Sequence, residues 1–254
     1  LDIMINTLTR QELNDSFSDL FLQRKPSIIT TPNTEIIVRA QTDEELKEII
    51  NDPMNLAIPD GIGLLWASRF LSLRAISKGL LAKLEIFLQW VVTIFLIAIY
   101  PRYFKSPIPE RIPGSDFIWD IARFAAKNNH KIFLLGGAPT VAERCALKLQ
   151  TDTPNLRIAG VFSGPSSEAQ KAIEAIRRSR ADILLVAFGA PKQEKWLQDN
   201  LLKTGCKIGV GLGGTFDFLA GTKKRAPVWM QRIGFEWFFR LVSEPSRIGR
   251  QIAL

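Results

Sequence analysis

Residues 181–214 read ADILLVAFGAPKQEKWLQDNLLKTGCKIGVGLGG, and this stretch determines the class of fold. The apolar run 181–191 is followed by a stretch of helical pattern, 192–203, and then by a second apolar run, 206–214. Apolar runs separated by a helix of about 10–15 residues are typical of parallel strands that are buried on both faces. We therefore predict a strand, a helix and a second, parallel strand here.

The same alternation continues toward the N-terminus. The predicted elements are a helix at 10–24, a strand at 27–33, a helix at 42–51 capped by Thr42, strands at 56–61, 131–137 and 157–164, and helices at 140–149 and 167–179. Strands that alternate with helices in this way define an α/β protein. The predicted fold is a Rossmann-like parallel sheet with flanking helices.

Glycines collect at the carboxyl ends of these strands. Parallel sheets bind ligands at that edge, because the loops there lead into helix N-termini whose unpaired N–H groups attract phosphate. Glycine also permits close approach of a ligand to the backbone. We therefore predict a phosphorylated ligand near Gly136, Gly137, Gly189, Gly213 and Gly214. The alternative is a set of tight turns without a ligand.

Composition narrows the chemistry further. The net charge of +8 suits anionic partners, whereas the single histidine, His130, excludes a Ser-His-Asp triad and a histidine-rich metal site. Cys145 and Cys206 lack metal-binding spacing, and no D-x-D motif occurs. The glycines of 209–214 match neither the dinucleotide fingerprint nor the phosphate loop of ATPases. We predict no metal and no cofactor, and LDIMINTLTR at the start shows no signal-peptide pattern.

The segment 79–104, GLLAKLEIFLQWVVTIFLIAIYPRYF, is strongly apolar. Its apolar length approaches the ~20 residues that a spanning helix needs. A single crossing would, however, separate strands that belong to one sheet, and basic residues flank both ends of the segment. We predict a helix that lies in the membrane interface or re-enters the bilayer, with a buried core helix as the alternative.

The C-terminal stretch 222–254 is basic and aromatic, with seven Lys or Arg residues against two Glu. Pro227 suits the first helical position, Pro245 suits the end, and one helical face carries Trp229, Ile233, Trp237 and Leu241. This pattern favours an anionic membrane surface or a lid over phosphates, with an aromatic core helix as the alternative. No nucleic-acid-binding motif is recognised, so nucleic acid is not the predicted partner.

Several of these stretches belong to one recognisable set. The set comprises TTPNTEIIVRA (30–40), NLAIPDGIGLLWASR (55–69), ERIPGSDF (110–117), KIFLLGG (131–137), AFGAPKQEKW (187–196) and GVGLGGTFDFLAGTKKRAPVWMQRIGFEWFFRL (209–241). In order and spacing it resembles the WecG/TagA/CpsF family of bacterial glycosyltransferases. The resemblance covers nearly the whole chain except 72–108, which is longer and more hydrophobic than the connection expected there.

The resemblance implies an inverting enzyme at the cytoplasmic face of the cell membrane. Such an enzyme transfers a sugar from a UDP-sugar donor to a lipid-diphosphate-linked sugar acceptor. N-acetylmannosamine or its uronic acid is the implied sugar, with glucose or glucuronate as alternatives in the same family. The implied organisation is a Rossmann-like catalytic domain, 1–221, that carries the hydrophobic insertion 72–108, and a basic appendage, 222–254. A homo-oligomer is also expected as a possible state.

Residue roles follow from the matched motifs. The resemblance implies that Asp60 is the catalytic base, with Thr31, Asn33 and Arg111 beside it, and that Gln193 lies near the nucleotide sugar. It matches the appendage arginines only in kind; among them we single out Arg225 and Arg232 for substrate binding.

Chemistry supports these roles independently of the resemblance, because transfer needs a carboxylate base and positive charge to hold the departing diphosphate. Asp60 follows an apolar strand and suits the first task, with Asp217 as the alternative base; Arg111, Lys192 and appendage arginines suit the second. Two other functional classes are compatible with the pattern: a non-catalytic nucleotide- or lipid-binding module, and a nicotinamide enzyme, which the missing fingerprint disfavours.

Overall fold

The structure is a computed structural model that describes residues 2–244, so Pro245, Arg247 and Arg250 of the predicted appendage lie outside the described residues. Its strands are β1 (Ser27–Thr30), β2 (Leu56–Ala57), β3 (Lys131–Gly136), β4 (Arg157–Phe162), β5 (Ile183–Ala187) and β6 (Ile208–Gly211). They form a parallel sheet in the order β2-β1-β6-β5-β3-β4. The predicted α/β, Rossmann-like class is confirmed.

Helices cover both faces of this sheet. In chain order they are α1 (Arg10–Leu22), α2 (Thr34–Arg39), α3 (Glu44–Asn51), α4 (Ile62–Ser72), α5 (Gly79–Ile99), α6 (Gly114–Lys127), α7 (Val141–Asp152), α8 (Ala169–Ser179), α9 (Lys192–Thr204), α10 (Thr215–Leu219), α11 (Val228–Arg232) and α12 (Glu236–Ser243). Short 3₁₀ turns lie at Pro101–Phe104 and Ser166–Glu168.

Side chains of the central strands alternate between two hydrophobic layers. Leu134 and Leu185 pack with α1, α6 and α7 on one face. Leu135 and Leu184 pack with α8 and α9 on the other. Because both faces are covered, these strands read as continuous apolar runs in the sequence.

The chain turns toward opposite faces of the sheet after the two neighbouring strands β3 and β5. Helix α7, which follows β3, belongs to the first layer, and α9, which follows β5, belongs to the second. The loops after β3 and β5 therefore separate and leave a crevice between them. In open α/β sheets this is where ligands bind.

The predicted cap of α3 is wrong. The side chain of Asp43, not that of Thr42, accepts a hydrogen bond from the N–H of Leu46. Thr42 lies in the turn that closes α2, where its hydroxyl donates to the carbonyl of Arg39. Both residues are good helix caps by type, and the position of the preceding helix decides between them.

The appendage is not one helix, so the predicted aromatic face does not exist. Gly234, with φ of 81°, separates α11 from α12, and a Cβ there would lie 2.7 Å from the side chain of Ile62. Pro227 is the N-cap of α11 rather than its first residue. Trp229 and Trp237 remain 62% and 53% exposed. An aromatic core helix is therefore excluded as well.

Helix α5 lies on the surface, which contradicts the alternative of a buried core helix. Thr93 is its only buried residue, and it accepts a hydrogen bond from the indole N–H of Trp66 on α4. Phe95 is 65% exposed. Among residues 2–244, α5 is the one helix whose length and composition would allow a membrane crossing. Since β2 precedes it and β3 follows it in one sheet, a single crossing is incompatible with this fold.

Candidate active site

A cleft of about 880 Å³ runs along the carboxyl edge of the sheet; we call it the large cleft. It receives residues from the loops after all six strands. The predicted site residues that line it are Thr31, Asn33, Asp60, Gly137, Gly189, Lys192, Gln193, Gly213 and Gly214. Its volume lies within the usual range of about 300–1,000 Å³ for small-molecule sites.

A second cleft, of about 490 Å³, adjoins the first and is mostly apolar; we call it the apolar cleft. Its walls include Trp90, Ile94 and Ile97 from α5, together with Trp237 from α12. Asp60 lines both clefts. The carboxylate therefore stands where the two cavities meet.

The backbone around Asp60 is fixed by hydrogen bonds. Its N–H donates to the carbonyl of Pro32, 2.9 Å away, and the carbonyl of Pro59 accepts from Ile112 at 2.8 Å. Its carboxylate accepts from the N–H of Gly114, the first residue of α6. The segments after β1 and β2 and the start of α6 thus hold one side chain in place.

Burial raises the pKa of Asp60 to about 6, and the nearby carboxylate of Glu236 adds to this increase. Arg240, Arg111 and the Gly114 hydrogen bond act in the opposite direction. The loss of hydration of the charged carboxylate therefore affects the pKa more than these favourable interactions do. A carboxyl group whose pKa lies close to neutral is suited to accept a proton during catalysis.

Thr31 and Asn33 have structural partners beside Asp60. The hydroxyl of Thr31 donates to the carbonyl of Gly211, 3.1 Å away, and thereby ties the end of β1 to the end of β6. The side-chain oxygen of Asn33 caps α2 by accepting from the N–H of Ile36. Both residues fix the shape of the site, and both also line the large cleft.

Gln193 joins two glycine loops rather than standing free in the cleft. Its Oε1 accepts from the N–H groups of Gly189 and Gly213, at 3.2 and 2.9 Å, and its Nε2 donates to Glu194. Glu194 is buried, burial raises its pKa, and its Oε2 has no hydrogen-bond partner among the described residues. This acid was not singled out in the sequence, where it reads as an ordinary polar residue in the first turn of α9.

The glycines serve two different purposes, and only some concern a ligand. Gly209 and Gly211 make room for α9, because a Cβ at Gly209 would lie 2.5 Å from Leu197. Gly136 likewise packs against the ring of Phe188 and does not line the large cleft. Close packing explains these three positions, of which only Gly136 had been predicted to lie near a ligand. By contrast, Gly189 has a φ of 76° and open space beside it.

The predicted cationic residues are separated by the structure. Lys192 lines the large cleft, whereas Arg111 lines the apolar cleft and donates to the carbonyl of Gln231 in the appendage. Arg225 is held by Asp116 and Glu236, at 2.6 and 3.1 Å. Neither Arg225 nor Arg232 lines the two clefts.

Two appendage cations line the large cleft, Lys223 and Arg240, and the sequence did not distinguish them from their neighbours. Lys223 is paired with Asp217 and Glu244, whereas no ion pair is found for Arg240 in the described part of the chain. Arg240 lines both clefts, and its guanidinium approaches Gly214 and lies over the ring of Phe218. Its buried Nε has no hydrogen-bond partner in the described part of the chain. The terminal nitrogen beside Gly214, rather than this buried Nε, is the part of the guanidinium that is suited to hold a phosphate oxygen.

Asp217, the alternative base, is anchored in the floor of the large cleft. Its carboxylate accepts from the hydroxyl of Thr222 at 3.2 Å and lies 3.7 Å from Lys223. Its carbonyl closes the turn after α10 by accepting from the N–H groups of Thr222 and Lys223. Within residues 2–244, no group of three His, Cys, Asp or Glu side chains is arranged to hold a metal ion.

The chain belongs to a class of sugar-transferring enzymes, the WecG/TagA/CpsF family of glycosyl transferases, whose sequence profile matches residues 1–90 and 94–254. The protein is accordingly a hexosyltransferase. The matched ranges include most of 72–108, so the segment that differs from the family is shorter than the motifs suggested.

Two relatives carry the same name, N-acetylglucosaminyldiphosphoundecaprenol N-acetyl-beta-D-mannosaminyltransferase. The protein from Bacillus subtilis (strain 168) is 29% identical over 232 residues, which cover 91% of this chain and 77% of that protein. The protein from Staphylococcus aureus (strain MRSA252) is 28% identical over 247 residues, which cover 97% of this chain and 81% of that protein.

Proposed function

We propose that the protein is an inverting transferase that moves N-acetylmannosamine, or a related sugar, from a UDP-sugar to a polyprenyl-diphosphate-linked sugar. The observation that carries this proposal is the position of Asp60 at the junction of two clefts. A transferase must bring two substrates to one base, and this arrangement offers each substrate its own cavity. The relatives' names support the same class of acceptor.

Asp60 acts as the general base in this proposal. Its deprotonated carboxylate takes the proton from the attacking hydroxyl of the acceptor sugar, whose oxygen forms a bond to the anomeric carbon of the donor. The bond from that carbon to the phosphate oxygen breaks, and UDP leaves with the electron pair. Attack from the side opposite UDP inverts the anomeric configuration. A pKa of about 6 leaves Asp60 deprotonated at neutral pH and more basic than an ordinary aspartate.

The large cleft is the proposed place of the UDP-sugar. Gly213 and Gly214 present backbone at its floor, and Lys192 and Arg240 supply positive charge. Charge that grows on the departing diphosphate is stabilised by such preorganised donors. Arg111 was predicted for the same role, but it lines only the apolar cleft of the two.

We place the enzyme at the cytoplasmic face of the cell membrane, bound through α5 without a single crossing. Exposed apolar side chains of α5, such as Phe87 and Phe95, would enter the bilayer boundary. Sedimentation with anionic vesicles tests this placement. Replacing Phe87 and Phe95 together by serine should weaken binding at least about tenfold.

The matched control replaces two exposed leucines of the sheet domain, Leu147 and Leu202, by serine. Vesicle binding should then stay at the wild-type level. Equal binding by both double variants would contradict the placement of α5 in the membrane.

UDP release tests the proposed transfer. Purified protein is given a GlcNAc-diphosphate-lipid and, in turn, UDP-ManNAc, UDP-ManNAcA, UDP-glucose and UDP-glucuronate. Acceptor-dependent release with one donor establishes the reaction and identifies the sugar. Asp60→Asn should lower the rate about 10²–10⁴-fold. Asp217→Asn should cost far less.

Two outcomes would redirect the proposal. A larger loss for Asp217→Asn than for Asp60→Asn would move the base to Asp217. UDP binding without release for any donor would favour the non-catalytic nucleotide- or lipid-binding module.

A further inference from the structure

The apolar cleft has a composition that the transfer reaction alone does not require. A sugar hydroxyl and a diphosphate need polar partners, yet much of this cleft is walled by apolar and aromatic side chains: Trp66, Trp90, Ile94, Ile97 and Trp237. Trp90, Ile94 and Ile97 follow one another at helical spacing on the inner side of α5. One face of the exposed helix therefore belongs to the site.

Charged groups line the same cleft. Asp60, Arg111 and Arg240 lie there, together with Glu35 and Glu236. Glu236 is ion-paired with Arg225, which offsets its charge. The cleft thus combines charged groups around the base with apolar walls that α5 and α12 supply. A ligand that fits this combination carries a charged head on a hydrocarbon chain.

On the basis of the proposed function, we infer that the apolar cleft binds the lipid part of the acceptor as well as its head. The diphosphate lies near Arg111 and Arg240, and the first isoprenyl units lie between the inner face of α5 and Trp237. Helix α5 then has two roles: its outer residues contact the bilayer, and its inner residues contact the substrate chain. The acceptor sugar reaches Asp60 without the lipid leaving an apolar environment.

Two acceptors that differ only in their chain test this inference. GlcNAc-diphosphate esterified with methyl and with geranyl are compared in the same detergent micelles, with UDP-ManNAc as donor and UDP release as readout. The measured quantity is the ratio of kcat/KM for geranyl over methyl. Burial of two isoprenyl units predicts a wild-type ratio of at least about ten.

Three variants locate the cause of that ratio. Ile94→Trp narrows the cleft while keeping α5 apolar, and Trp237→Ala removes the opposite wall; each should lower the ratio at least about fivefold. Phe95→Trp, on the outer side of α5 and away from the cleft, should keep the wild-type ratio. Because each protein is compared with itself, a general loss of activity does not affect the ratio.

The outcomes separate this inference from the proposed function. A wild-type ratio near one, or equal ratios in Ile94→Trp, Trp237→Ala and Phe95→Trp, would overturn the inference and leave the transferase intact. Absence of UDP release with both acceptors and with a full-length polyprenyl acceptor would overturn both together.

Discussion

Replacing Asp60 by asparagine should inactivate the enzyme and at the same time stabilise its fold. In the folded protein the pKa of Asp60 is raised from its ordinary value of 3.8 to about 6. The folded state therefore binds more protons than the unfolded state between these two values. Stability falls as the pH rises from 4 to 6, and the loss is complete above pH 6.

The size of this loss follows from the interval between the two pKa values. About two pH units at 1.36 kcal/mol each give about 3 kcal/mol. Because Asp60 keeps some exposure to the clefts, solvent screening reduces this figure to ~1–3 kcal/mol. Asparagine carries no charge and can still accept the hydrogen bond from Gly114. The variant should therefore be more stable than the wild type by ~1–3 kcal/mol at pH 8.

Urea unfolding at pH 4.5 and pH 8 measures this effect. The advantage of Asp60→Asn should be clearly smaller at pH 4.5, where the wild-type side chain is largely protonated in the folded state. Asp217→Asn is the control, because it removes a carboxylate that is paired with Lys223 and should bring no stability. If Asp60→Asn is no more stable than the wild type at pH 8, burial of the Asp60 carboxylate is not the cause of its raised pKa.

Three further predictions concern the same region. The kcat/KM of the wild type should rise with pH up to about 6 and then level off, because Asp60 must be deprotonated to act as the base. A flat profile between pH 5 and 8 would speak against Asp60 as the base. Glu194→Ala should lower the free energy of unfolding by ~2–3 kcal/mol, because it opens a cavity and leaves Nε2 of Gln193 unpaired. Glu194→Gln keeps a hydrogen-bond acceptor and should lower it less. Equal losses for the two variants in urea unfolding would refute the contribution of this hydrogen bond. Gly209→Ala should destabilise the fold by ~1–3 kcal/mol through its contact with Leu197, and a neutral change in thermal unfolding would show that α9 can move away.

Most strands of this fold could be predicted because their burial requires apolar residues at successive positions. A strand buried on both faces is apolar throughout, and 131–137, 181–191 and 206–214 were located in this way. The edge strand in 157–164 is only partly buried, but its residues are apolar enough to give the same pattern. Helices 62–72 and 114–127 were left unassigned, although each begins within a motif quoted above. Strand ends were placed too far along, because the turn residues that follow β5 and β6 continue the apolar run.

The role of an individual glycine is the property that the sequence alone predicts least well. Gly209 accommodates a neighbouring helix and Gly189 opens onto a cleft, yet both are single glycines near a strand end. The difference lies in the residues that approach them from elsewhere in the chain. Appendage arginines present the same difficulty: Arg225 is taken up by two carboxylates and Arg240 reaches the site, and only tertiary contacts distinguish them.

The position of β1 in the sheet has a consequence for synthesis of the chain. Ile28 and Ile29 pair with Gly209 and Val210, so one side of β1 stays open until the ribosome has made about 180 further residues. At typical elongation rates of about 5–20 residues per second, this interval lasts roughly 10–40 s. Within it α5 emerges, apolar and not yet flanked by a finished domain. We expect the nascent chain to need a chaperone during that interval, or the membrane itself if α5 binds there as proposed.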